Sequence, residues 1–258
     1  MVAAMTRPAQ NLLLVLLGGA ALWITLVTDE YLNYVNPWFR LLLVGAGAVL
    51  IVLGGTGLFR GHAERGTSQA GQITGQGDHQ HGRGPRVAWL LLLPAAVIFV
   101  IAPPPLGAFT AARPGAQPAP PPTSPPTSQG FAPLGGTGPV EMPIGEFVGR
   151  AWQEHYGGSP TGLAGRTVTL VGFVIRPGKG GPDAGGGWLL TRMRIACCAA
   201  DGIPIQVIVR GRPAPPDEAW VRVTGTWPAV PKPTAEQPLQ QLTATHVQRI
   251  PKPRKPYE

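Results

Sequence analysis

Hydrophobic positions follow two regimes along this chain: long uncharged runs in the first hundred residues, and short alternating runs in the last hundred. Leu12 to Val27 reads LLLVLLGGAALWITLV. Leu41 to Phe59 is again free of charge and close to the ~20 residues a helix needs to cross a bilayer. A third run, Val87 to Ala102, is shorter and stops at Pro103-Pro104-Pro105. Helices apolar all round are spans or core helices. We expect three membrane helices, at about residues 10–27, 39–59 and 87–102, within a membrane region of residues 1–102. Arg7 before the first run is also compatible with a secretory signal. The run continues to Val27 with no clear A-x-A site after it, which favours an uncleaved span. Trp38 and Phe39 stand where interface anchors belong.

From Ile144 the pattern changes. Ile144, Phe147, Val148, Ala151 and Trp152 follow helical spacing, and Gly157-Gly158 can end that helix. Five strand-like runs follow: Thr167–Arg176, Trp188–Ala196, Ile203–Arg210, Trp220–Trp227 and Leu239–Ile250. In the first, Val168, Leu170 and Val174 share a face, and Gly172 suggests a bulge or sharp bend. One helix and five short strands over residues 143–258 suit a small β-rich domain, an OB-like barrel, whose strand order the pattern leaves open.

Composition joins the two regimes. The chain holds 36 Gly and 31 Pro with only 13% charged residues, so apolar spans and loose linkers coexist. Residues 103–142 are rich in Pro, Ala, Gly, Ser and Thr, including PAPPPTSPPTS, and should form a disordered tether biased to polyproline II. At ~3.1 Å per residue, thirty extended residues reach on the order of 90 Å. The same composition could serve an SH3-type ligand, a reading that fits poorly outside the cytoplasm.

Charge sets the topology. The short loop after the first span holds Asp29 and Glu30, whereas the loop at 60–86 holds Arg60, Arg65, Arg83 and Arg86. The positive-inside rule puts that loop and the N-terminus in the cytoplasm. Three crossings then place the C-terminal domain outside it; two would invert this. The net charge of +8 and the terminal Lys252-Pro-Arg254-Lys255 can meet an anionic lipid surface. Trp152, Trp188, Trp220 and Trp227 read as core and rim rather than a base-stacking platform, so no nucleic-acid partner is expected.

The two cysteines, Cys197 and Cys198, are adjacent. Neighbouring Cα atoms sit near ~3.8 Å apart, below the usual ~4.4–6.8 Å of a disulfide. Period two puts Cys197 on the face of Met193 and Ile195 if the strand persists, and Asp201-Gly202 suggests a turn. Arg192 and Arg194 would favour thiolates if they approach. Three readings stay open: buried small hydrophobes, a metal site for Zn or Cu, and thiol redox chemistry. Two thiolates need further ligands. Asp201, His155 and His246 are the candidates, with no diagnostic spacing. A second weak metal candidate is His79 and His81 in Asp78-His79-Gln80-His81, with His62 earlier in the same loop. On the proposed topology it lies across the membrane from the cysteines. There is no P-loop, H-E-x-x-H or G-x-S-x-G, so no enzyme is expected, and the spans carry no obvious relay of the buried acids or bases that a self-sufficient ion transporter would often need.

Gly172-Phe173-Val174, Arg194-Ile-Ala-Cys-Cys-Ala-Ala-Asp201 and Pro256-Tyr-Glu258, with the His-containing loop between spans, resemble the bacterial YcgQ-type permease-subunit family. The resemblance implies N-terminal spans with a C-terminal domain, pairing with a separate polytopic permease, and in some members a link to metal homeostasis. It brings no established catalytic residues. The long Pro-rich tether and sparse His loop depart from the family pattern. The expectation is a membrane-anchored accessory subunit of a permease, with an extracytoplasmic domain that binds cargo or regulates the assembly. The alternatives are an extracytoplasmic thiol redox protein and a non-catalytic protein-binding scaffold.

Overall fold

The computed structural model describes residues 7–67, 106–111, 131–156, 161–176, 186–228 and 239–258. The chain divides into two compact units. The first is Met1–Tyr31 with Pro37–Pro104; the second is Leu32–Asn36 with Pro105–Glu258.

In the first unit, α1 (Arg7–Leu26) and α2 (Arg40–Thr67) form a helical hairpin. Two helical stretches, Pro8–Leu26 and Pro37–Arg60, are long and apolar enough to cross a membrane. The expected third span at 87–102 lies outside the described residues. Glycine lets the two backbones approach: a Cβ on Gly18 would stand 2.6 Å from the Gly47 carbonyl oxygen. Leu16, Trp23, Leu41 and Phe59 are exposed on the hairpin, an apolar exterior suited to lipid.

In the second unit, the strands are β1 (Val140–Glu141), β2 (Thr167–Ile175), β3 (Trp188–Arg194), β4 (Ile203–Arg210), β5 (Trp220–Thr226) and β6 (Gln240–Arg249). Their order is β1-β2-β3-β4-β6-β5, and β5 also pairs with β2. Strands β2 to β6 therefore close into a five-strand barrel, antiparallel except where β6 runs parallel to β4. The short β1, which the periodicity does not announce, adds parallel to β2.

Alternation explains two apolar clusters rather than one. Val168, Leu170, Leu190, Val207, Val209, Val221 and Val223 fill the interior with Trp188. The helix here named α4 (Ile144–Tyr156) packs Ile144, Phe147 and Ala151 against that core, the face predicted from its spacing. The opposite faces of β2, β3 and β4 place Phe173, Ile175, Leu189, Met193 and Ile208 in a second cluster. This cluster includes Ala111 of a short helix, α3 (Ala108–Ala111), with Leu106 and Tyr257 packed on it. Strands buried on both faces explain why β2 reads as a nearly continuous apolar run.

The folded unit begins earlier than the expected residue 143. Residues 106–111 and 131–142 pack on it, with Leu134 N–H donating to the Thr161 carbonyl at 2.9 Å and Met142 buried. The remainder of the expected tether, 112–130, lies outside the described residues. Gly172 does not mark a bulge: it pairs in register with Val221. It is needed because a Cβ there would stand 2.6 Å from the Thr191 carbonyl oxygen. The register shift lies instead in the β5–β6 pairing, at Thr224/Gly225.

The residues Pro256-Tyr257-Glu258 run beside β3. Tyr257 bridges Met193 in parallel, Glu258 N–H donates to the Met193 carbonyl at 2.9 Å, and Ile195 N–H donates to a Glu258 oxygen at 3.1 Å. The Glu258 side chain accepts from the Ile144 and Gly145 N–H groups, each at 2.8 Å. It thereby caps the N-terminus of α4 from the far end of the sequence.

Candidate metal centre

Strand β3 ends at Arg194, two residues short of the expectation, so Cys197 does not continue its core-facing side. The chain turns instead. Cys198 is extended (φ −151°, ψ 173°) and precedes a single 3-10 turn, Ala199–Asp201. Asp201 builds this turn. Its carboxylate accepts from Ala196 N–H at 3.0 Å and Cys197 N–H at 2.8 Å, and reaches Cys198 N–H at 3.5 Å. A short acidic side chain satisfying nearby amides is the usual turn chemistry of Asp.

Both cysteines are free and half-buried, and their sulfurs lie 3.7 Å apart. One ligand atom each from Cys197, Cys198 and Asp201 can be chosen so that all lie within 4.8 Å of one another, and the three could hold a metal ion. The Cys197 thiol is pushed up to about 11, first by its hydrogen bond to Asp201 and then by its contact with Cys198. The same thiol bond, joined by the backbone donors, holds the Asp201 carboxyl below its usual range. Without an ion, the pair is a thiol leaning on a carboxylate.

The arginines do not play the part the sequence suggests. Arg192 donates to the Val171 carbonyl at 3.3 Å and the Lys255 carbonyl at 2.6 Å, and lies over the Trp220 ring. Arg192 and Arg194 act instead on Glu258, whose carboxyl is raised by burial against the opposing pull of its two backbone donors and these charges. Of the other proposed ligands, His155 stands edge-on to Trp227, and His246 sits in β6 opposite Thr224. Neither joins the cluster. His79 and His81 lie outside the described residues, as does the side chain of His62.

Sequence reasoning missed the element that holds the turn from its other side. Leu32–Asn36, between α1 and α2, packs with the barrel unit. Val35 makes an antiparallel bridge to Cys198. Asn36 N–H donates to the Cys197 carbonyl at 3.0 Å, and Ala199 N–H donates to the Tyr34 carbonyl at 2.7 Å. The Asn36 amide donates to the Ile195 carbonyl at 3.2 Å. Asn33 is held through its carbonyl by Tyr257 O–H at 2.7 Å and through its side chain by Lys252 Nζ at 2.9 Å. Tyr257 O–H in turn accepts from Leu106 N–H at 2.9 Å. Nothing in Asn33-Tyr-Val-Asn36 announces a strand. The only available signal was its confinement between two apolar runs.

No curated protein and no solved structure matches the chain. Residues 151–258 match the model of the DUF1980 C-terminal domain, a domain of unknown function, which is consistent with a YcgQ-type family member.

Proposed function

We propose that this protein is a membrane-anchored accessory subunit of a polytopic permease, whose OB-like barrel presents a metal site outside the cytoplasm. One observation carries the reading: the only cysteines sit on a turn hydrogen-bonded to the segment that joins two membrane-length helices. Along the chain that segment lies only a few residues from the ends of both helices.

The same contact supports the topology. If α1 and α2 both span, Leu32–Asn36 is exposed on the side opposite both outer helix ends. The barrel touches that segment, so it shares its side. The chain between residues 67 and 106 must then cross once more, and the apolar run 87–102 is the stretch able to do so. The arginines at 60, 65, 83 and 86 independently favour a cytoplasmic loop before that crossing. A thiol oxidoreductase is less well supported, because a thiol raised to about 11 is a poor nucleophile at neutral pH.

Two experiments test this. Alkaline phosphatase fused after Glu258 should be active, and activity confined to a cytoplasmic reporter refutes the topology. Purification in mild detergent should retain a polytopic partner; repeated native preparations without one would remove the accessory role.

A further inference from the structure

We infer that the Cys197-Cys198-Asp201 turn takes one four-coordinate ion of the zinc class, bound by three protein ligands with the fourth position left to an exchangeable donor. This rests on the reading that the turn holds the cargo.

The sulfur spacing selects the ion. Two thiolates each ~2.3 Å from one ion stand about 3.8 Å apart in a tetrahedron, and about 4.6 Å apart in a linear pair. The observed 3.7 Å fits the first and not the second. Linear two-sulfur coordination, suited to Cu(I), would need the sulfurs to separate by nearly an ångström. The backbone of both residues is pinned, Cys198 by its bridge to Val35 and Cys197 through its carbonyl and its N–H, so the separation would have to come from side-chain rotation alone. Thiolates also disfavour hard cations such as Mg²⁺ and Ca²⁺.

Asp201 supplies the third ligand and its own support. Its Oδ1 accepts one backbone N–H, and its Oδ2 accepts Cys197 N–H and reaches Cys198 N–H, which fixes the plane of the carboxylate and leaves a lone-pair direction on Oδ1 for an ion. Among the described residues no fourth His, Cys, Asp or Glu belongs to the cluster, and Asp201 is exposed. Closed four-ligand sites are structural, whereas three-ligand sites exchange their fourth position. Here that position would be taken by water in the resting subunit and by a donor atom of the permease during transfer.

The test uses the full chain in mild detergent with reductant, offered Zn²⁺, Co²⁺ and Cu(I) in turn. Native mass spectrometry should show one Zn²⁺ per chain. Bound Co²⁺ should give the intense visible bands of a four-coordinate site with a sulfur charge-transfer band. Added imidazole should shift those bands without expelling the ion. Cys197→Ser and Cys198→Ser should each weaken Zn²⁺ at least about 100-fold, beyond the ~10–100-fold typical of losing a supporting contact. Asp201→Asn keeps one acceptor oxygen but turns a donating NH2 toward the other backbone N–H; a weakening above about 10-fold with unchanged circular dichroism and an unchanged thermal midpoint of the ion-free chain separates ligation from folding. Six-coordinate Co²⁺ spectra, Cys-independent binding, indifference to imidazole or selective uptake of Cu(I) would each overturn the inference. A parent chain that binds no ion but keeps its permease overturns this inference and the metal site on which it rests, and leaves the accessory role standing. An ion held without a partner refutes the accessory role alone.

Discussion

Asp201 is the residue on which the cysteine turn depends twice, as builder of its backbone and as partner of its thiol. The Cys197 thiol, raised to about 11, stays protonated at neutral pH, and its bond to Asp201 is lost as pH climbs through that value. The Asp201 carboxyl is depressed, so its hold on the turn persists above the ordinary carboxylate range and fails only as pH falls through its lowered value. Against the ordinary thiol value of 9.0, a rise to about 11 makes the thiolate roughly 100-fold scarcer near neutrality. Alkylation of Cys197, followed by mass spectrometry, should therefore be slow at pH 7.5 and accelerate about tenfold per pH unit. Asp201→Asn should speed it at fixed pH. Equal rates in parent and variant would show that the carboxylate does not control the thiol. Asp201-Gly202 was legible as a turn, but the raised thiol was not, since it arises from distances that spacing does not carry. The arginines misled for the same reason: proximity in sequence put them beside the cysteines, while the fold turned them to Glu258 and Trp220.

Among the elements, α4 and the five long strands were legible because each alternates or repeats with its own period. Strand order was not, because β6 lies between β4 and β5 through pairings distant in sequence. The α4 cap was equally hidden: its acceptor is Glu258, 114 residues from Ile144. Glu258→Gln should lower stability by about 1–2 kcal/mol by weakening two charge-assisted bonds at a helix N-terminus, read as an earlier near-UV thermal transition. An unchanged midpoint would mean that water caps the helix as well. Tyr257→Phe removes one donor and one acceptor that join Asn33 and Leu106, at a cost of about 1–3 kcal/mol. Hydrogen exchange should quicken at residues 32–36 and 106–111 while the barrel strands stay protected. Uniform acceleration would instead make Tyr257 a core residue of the whole barrel.

At the scale of the molecule, apolar runs announced two membrane-length helices, and the barrel followed from the alternation. The docking of Leu32–Asn36 on the barrel was invisible, because a short polar segment between spans carries no periodicity that could name its partner. That docking makes the apolar run at 87–102 testable. Its deletion should leave the C-terminal domain on the cytoplasmic side, detected by loss of phosphatase activity from a fusion after Glu258. Retained activity would mean that another segment crosses.

The hold of the barrel on Leu32–Asn36 also has a thermodynamic consequence. Its five hydrogen bonds, from Asn36 N–H, Ala199 N–H, the Asn36 amide, Tyr257 O–H and Lys252 Nζ, contribute about 1 kcal/mol each. A sum on the order of 5 kcal/mol corresponds to a dissociation constant of roughly 0.2 mM between separate molecules. Covalent continuity raises the local concentration of one part around the other to roughly the millimolar range, enough to keep the contact closed several-fold more often than open. The connecting chain is thus a concentrating device as much as a leash. A protease site introduced between residues 102 and 106, ahead of the segment packed on the barrel, should, once cut, let the barrel leave the membrane on dilution, taking the cysteine turn with it.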